Sequence, residues 1–222
     1  MKKTTLLFIS ILVFTIAKSQ DSYQNDEIRT VFSRNKSNGG YGAFTISYSN
    51  IGGYDALVTG GRGAFIFDHA LAIGLGGYGF VNNLDYNYHN PGSSSTNRNL
   101  SLAGGYGGFL IEPIVAGKSP VHLAFPILIG GGGVTLVDIY GWDYWGNPYP
   151  GNEYAYDAFF VIEPAVELEF NMARFFRLAA AVSYRYTSEI NLYRADFVDT
   201  KQTSADALRG FNFGLTFKFG KF

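Results

Sequence analysis

The sequence predicts an all-β fold, an antiparallel up-and-down transmembrane β-barrel of about eight strands. Three observations predict it. From residue 39 onward, apolar and polar residues alternate with period two over segments long enough to cross a bilayer at a tilt. Apart from the first outer connection, which is short, the connections between these segments are alternately short and long, the asymmetry of periplasmic turns and outer loops. The apolar face of the later segments is bulky and uncharged, whereas the opposite face holds small residues and charges. In a narrow barrel that pattern puts the bulky face in lipid and the small or ionic face inside.

Composition agrees. The 222 residues carry a formal net charge of -1, with 17% aromatic and 16% charged residues and 28 glycines. Near-neutrality leaves no electrostatic footprint for nucleic acid. The chain has no cysteine, which excludes a lipoprotein anchor and a disulfide framework. Lys2 and Lys3, the apolar run Leu6 to Ile16 and the small-residue pattern Ala17-Lys18-Ser19 read as a signal peptide over residues 1–19, cleaved to leave Gln20 first. That run is shorter than the roughly 20 residues of a spanning helix. Residues 20–38 form a polar N-terminal segment and residues 39–222 the barrel. The expected location is the cell outer membrane of a Gram-negative bacterium.

The first strand, Tyr41 to Tyr48, sets Phe44, Ile46 and Tyr48 against Ala43, Thr45 and Ser47. Asn50-Ile51-Gly52-Gly53 turns the chain into a second strand, Asp55 to Phe67, with Leu57, Phe65 and Phe67 opposite Arg62. After Asp68-His69-Ala70, the third strand runs to Val81. Leu71, Ile73 and Leu75 face one way there, and Gly74, Gly76, Tyr78 and Phe80 the other. A polar segment, Asn82 to Asn99, precedes the fourth strand, Leu100 to Val115; Ala116 to Pro120 then leads to the fifth, Val121 to Val137. Beyond Asp138 to Asp157, the sixth strand alternates Phe160, Ile162, Pro164, Val166, Leu168 and Phe170 with Glu163, Glu167 and Glu169. A turn at Asn171-Met172-Ala173 leads to the seventh, where Phe176 to Tyr186 alternate with Arg177 to Arg185. Ser188 to Asp206 is a third long polar segment. The last strand sets Phe211, Phe213, Leu215, Phe217 and Phe219 against Asn212, Gly214, Thr216 and Lys218.

Aromatics near strand ends, Tyr41, Tyr48, Phe170, Tyr184 and Tyr186, are expected at headgroup depth. Phe109 to Val115 echoes Phe160 to Val166, each with a Glu-Pro pair. Bulges are expected at Pro113 and Pro164, which cannot donate ladder bonds. Inside, Arg62, Glu112, Glu163, Glu167, Glu169, Arg177, Arg185 and Lys218 supply both signs. They are expected to pair and close the lumen, because lone buried charges are costly.

The motifs Val58-Thr59-Gly60-Gly61-Arg62-Gly63, Ile73-Gly74-Leu75-Gly76-Gly77-Tyr78-Gly79 and Arg174-Phe175-Phe176-Arg177-Leu178, with the signal ending Ala17-Lys18-Ser19-Gln20, resemble uncharacterised outer-membrane β-barrel proteins of the Bacteroidota. In architecture the chain is similar to the OmpA/OmpX-type barrels, a resemblance that implies fold and little about function. Phe222 resembles the terminal aromatic read by the barrel-insertion machinery, although the row Phe211 to Phe219 is one residue out of phase with it.

No catalytic, cofactor or metal site is expected. Gly74 to Gly79 matches G-x-G-x-x-G but lacks the following helix and acidic residue of a dinucleotide site. His69, His89 and His122 share no metal-ligand spacing. His122 is placed inward near the periplasmic rim, and His89 with Ser93, Ser94 or Ser95 is a loop coincidence. The outer loop with Tyr140, Trp142, Tyr144, Trp145 and Tyr149 is the candidate surface for an extracellular glycan or protein. The other expected partners are outer-membrane lipid and the insertion machinery. The preferred reading is a non-enzymatic barrel with a structural or surface-interaction role. Its alternatives are a lipid-modifying enzyme such as an outer-membrane lipid hydrolase or acyltransferase, a narrow channel, and a soluble periplasmic lipocalin-like binder.

Overall fold

The computed structural model describes residues 38–82, 87–88, 98–138, 156–192 and 204–222. The signal peptide, the polar segment up to residue 37, His89 with Ser93 to Ser95, and the aromatic loop from Tyr140 to Tyr149 lie outside these described residues. The strands are β1 (Asn38–Ile51), β2 (Tyr54–Phe67), β3 (Leu71–Asn82), β4 (Asn87–Tyr88), β5 (Arg98–Val115), β6 (Val121–Ala124), β7 (Ile127–Asp138), β8 (Tyr156–Ala173), β9 (Phe176–Thr187) and β10 (Gly210–Lys221).

Each strand pairs antiparallel with its neighbours, and β10 closes on β1 from Gly40↔Lys221 to Ser49↔Asn212. Strands β6 and β7 are one stave: both lie between β5 and β8, in a single register that continues across Phe125-Pro126. The ring therefore has eight staves, with β4 a two-residue ladder on β5. Among the described residues, closure leaves none of the eight staves as an edge, as a membrane-spanning sheet requires.

The expected bulges at Pro113 and Pro164 do not form. Ile111↔Ile127 and Ile114↔Ala124 keep one register, as do Ile162↔Tyr186 and Ala165↔Ser183. Missing N–H groups remove ladder bonds without inserting a residue, and Phe125 N–H instead donates to Pro113 O at 2.9 Å. The register shift falls at Asn171/Ala173, because β8 runs on to Ala173 and the turn is Arg174-Phe175.

One end of the barrel, the turn end, carries the short connections Asp68 to Ala70, Ala116 to Pro120 and Arg174-Phe175. The other, the loop end, carries the longer connections and the tight Gly52-Gly53 hairpin. Both glycines have positive φ, 64° and 89°, the geometry of a two-residue turn that matches strand twist.

Sidedness follows the alternation. Phe44, Ile46, Leu57, Val166, Phe213 and Leu215 point outward and are exposed; Phe65 and Phe109 expose 74% and 73% of their surface. Arg62, Glu112, Glu167, Glu169, Arg177, Arg185 and Lys218 point inward and are buried. One expectation fails. Tyr41 is not at the headgroup level but inside, 6% exposed, because it shares the phase of Ala43 and Thr45 and not that of Phe44.

Candidate functional site

The lumen divides into two halves. Toward the turn end lies a knot of charge. Arg62 Nη2 donates to both carboxylate oxygens of Glu167, at 2.7 and 2.6 Å, and lies 3.6 Å from Glu112. Lys218, rooted on the closing strand, reaches Glu112 at 2.8 Å, Glu167 at 2.9 Å and Glu169. Arg177 Nη1 contacts Glu169 at 3.3 Å. Two residues absent from the expected set complete the knot. Tyr41 Oη donates to Glu112 at 2.6 Å, and His122 Nε2 lies 2.8 Å from Glu169. Their inward phase was the available signal: His122 alternates with Val121 and Leu123, and Tyr41 with Gly42 and Phe44.

Glu163 and Arg185 do not join the knot. Glu163 accepts from Ser183 Oγ at 2.5 Å and Asn212 Nδ2 at 2.7 Å. Arg185 donates to Leu208 O at 2.7 Å, Ser49 Oγ at 3.2 Å and Asn212 Oδ1 at 3.3 Å. Asn212 thus links a carboxylate to a guanidinium that has no direct partner of opposite charge among the described residues. Arg185 also faces the rings of Phe80 and Tyr106, 5.6 and 5.7 Å from their centroids.

Toward the loop end the lumen is apolar, where the expectation was of small and ionic residues, and Phe80 lies on the face opposite Leu71 and Ile73 as its phase gave it. Phe80, Leu102, Tyr106, Val134, Leu136 and Phe159 form one buried cluster. Room for these rings comes from inward glycines on adjacent strands. A Cβ on Gly104 would lie 2.7 Å from the Phe80 ring, and one on Gly132 would lie 2.8 Å from the Phe159 ring. The mouth is covered by the described parts of the last connection. Ile190, Leu192 and Leu208 are fully buried there, and Ile190 N–H donates to Ala205 O at 3.0 Å. The described residues of this connection, 188–192 and 204–209, are therefore not simply a solvent loop.

Between the halves lies a cavity of about 40 Å³. Arg62 Nε, Tyr106 Oη and Glu163 Oε2 belong to residues that line it, and none has a hydrogen-bond partner. A water needs roughly 10–15 Å³ of such space and a few polar partners, so the cavity suits buried water. Among the described residues, no group of three or more His, Cys, Asp or Glu side chains is arranged to hold a metal.

A closed ring of eight antiparallel strands with an apolar outer belt and a charge-paired inside defines the chain as a transmembrane β-barrel. A solved structure agrees at the level of fold. Neisserial surface protein A is similar with a TM-score of 0.50 and 9% identity, over 83% of this chain and 97% of that one. The N-terminal β-barrel domain of OprF from Pseudomonas aeruginosa aligns with a TM-score of 0.45 and 11% identity, over 83% and 98%. Ail, the attachment invasion locus protein of Yersinia pestis, gives 0.44 and 12%, over 83% and 99%. No protein-family model matches the sequence, and no curated protein matches it.

Proposed function

We propose that the protein is a non-enzymatic barrel of the Gram-negative outer membrane, with a lumen sealed to ions and a structural or surface-interaction role. The carrying observation is an exposed apolar belt around a lumen that holds a charge knot in one half and a buried apolar cluster in the other. Phe65 and Phe109 exposed in water would be strongly unfavourable, at about 25 cal/mol per Å² of apolar surface; acyl chains remove that cost. The insertion machinery and outer-membrane lipid are the partners this reading requires. Recognition falls to the loop end, where Tyr140, Trp142, Tyr144, Trp145 and Tyr149 offer aromatic faces for a glycan or protein.

Cell fractionation, detergent extraction and heat-modifiable migration test the location. The chain should sediment with outer membrane, need detergent for release and migrate faster unboiled. A soluble periplasmic fraction would reject the membrane reading. N-terminal sequencing of the exported protein should begin at Gln20. Planar-bilayer recording should show no stepwise conductance, and steady channel openings would reject the sealed lumen. Replacing Trp142 and Trp145 together should abolish surface binding, and undiminished binding would remove that loop as the recognition surface.

A further inference from the structure

At the turn end lies a second, larger pocket of about 650 Å³, lined by His69, Gly117, Lys118, Asn171, Ala173, Arg174, Arg177, Lys221 and Phe222. All three short turns and the end of β10 contribute to it. Its size is that of a small-molecule site, for which about 300–1,000 Å³ is usual. Its charge is one-sided. Lys118, Arg174, Arg177 and Lys221 line it with His69, and among the described residues no acidic side chain does. Asp68 neighbours His69 in its turn but is not part of the lining.

The floor is built rather than incidental. Arg177 is 4% exposed and held by Glu169, and its guanidinium lies 3.9 Å from the Phe222 ring centroid. Its Nε–H is nevertheless buried without a hydrogen-bond partner. Gly117 brings two of the turns together, since a Cβ there would lie 3.0 Å from Ile114 and closer still to His69 O. The three rim cations Lys118, Arg174 and Lys221 are exposed, and none is in an ion pair among the described residues. Placing like charges around one pocket is unfavourable by itself, so the arrangement calls for an anion.

The geometry points to a binding site for a phosphate-bearing anion at the turn end. A phosphate monoester carries about -1.5 to -2 charge at neutral pH with three acceptor oxygens. It can therefore engage several cations at once, where a monocarboxylate brings a single charge. Such a group comes from two sources, the headgroup of an anionic lipid or a soluble phosphate ester. The inference rests on the membrane-barrel reading only for which of these the site meets; the pocket itself does not depend on it.

The test uses the full chain folded in dodecyl maltoside, a neutral detergent without phosphate. The probes are glycerol 3-phosphate, dihexanoyl phosphatidic acid (the same headgroup with acyl chains) and acetate, with binding read by titration calorimetry. Both phosphate probes should bind saturably and acetate should not. The exposed triple variant Lys118→Gln/Arg174→Gln/Lys221→Gln should weaken binding about a hundredfold, at roughly fivefold per cation near a membrane surface. Heat-modifiable migration confirms that the variant is folded; if it is not, the single variant Lys118→Gln should still weaken binding about fivefold. Tighter binding of phosphatidic acid assigns the lipid as the source, and equal binding assigns the soluble ester. Acetate binding as well as phosphate, no saturable phosphate binding, or a folded variant that binds like the parent would each overturn the site. None of these three results bears on fractionation, so failure of the site and failure of the membrane reading are separable.

Discussion

The two halves of the lumen are filled by opposite chemistries on the same strands. At the turn end, Arg62, Lys218 and Arg177 interlock with Glu112, Glu167 and Glu169. At the loop end, Phe80, Tyr106 and Phe159 pack into space left by glycines on neighbouring strands. Strand β5 shows the switch within one element, holding Tyr106 in the aromatic cluster and Glu112 in the charge knot. The comparison teaches that the alternation fixes which side chains point inward, while the register across strands decides what they meet. It also teaches that each half has its own weak point. An ionic knot fails when one partner is removed and the others stay buried and unpaired. A ring-and-glycine cluster fails when volume is added.

The largest expected effect is therefore in the knot. Lys218 touches three carboxylates, so Lys218→Met should destabilise the barrel by about 3–5 kcal/mol, measured by urea unfolding in phospholipid vesicles. A change below 1 kcal/mol would mean that water or ions enter the turn-end half. Next comes the outer face, which belongs to neither half. Leu215→Arg should cost about 2–4 kcal/mol near the bilayer midplane in the same assay, and no cost would place that face in water. In the aromatic half, a Cβ at Gly132 would meet Gly105 O of the neighbouring strand first, then Tyr106 Cβ at 2.6 Å and the Phe159 ring at 2.8 Å. Gly132→Ala should accordingly cost about 1–3 kcal/mol, seen as a lower midpoint of heat-modifiable migration. The smallest effect is expected at the boundary. Tyr106 Oη has no protein partner, so Tyr106→Phe loses at most a hydrogen bond to cavity water and should change stability by no more than about 1 kcal/mol. A loss of 2 kcal/mol or more in urea unfolding would show that water in the cavity ties the two halves together.

Much of this was legible in the sequence, because sidedness is a local property with period two. The row Phe211 to Phe219 and the glutamates of β8 give their faces directly. The interior charges are read from phase alone; in the structure seven of them are buried and Glu163 is half-buried. Their partners do not follow, because partners depend on register and on distance across the lumen. Thus Arg185 meets Ser49, Asn212 and Leu208 O rather than a carboxylate, while Tyr41 and His122 enter the knot, His122 from the inward position that its phase gave it. Phe125-Pro126 split one expected strand into β6 and β7 for a local reason: β5 and β8 carry Pro113 and Pro164 alongside, so several ladder donors are missing at one level. The aromatic half was hidden for the same physical reason as the ion partners. A glycine on one strand gains meaning only when the ring opposite it, on another strand, is known. The out-of-phase Phe222 is resolved in the same way: its ring turns inward, 6.3 Å from Tyr41, and lies under Arg177.

The central claim is that the bulky face of every stave meets acyl chains. The absence of native cysteine makes it directly measurable. Spin labels placed by Leu215→Cys and, separately, Thr216→Cys in lipid vesicles report collision with oxygen and with a water-soluble nickel chelate. The label at 215 should collide strongly with oxygen and barely with nickel, while the label at 216 should be shielded from both. Strong nickel collision at position 215, equal to that of a label in the Gly52-Gly53 turn, would contradict the account.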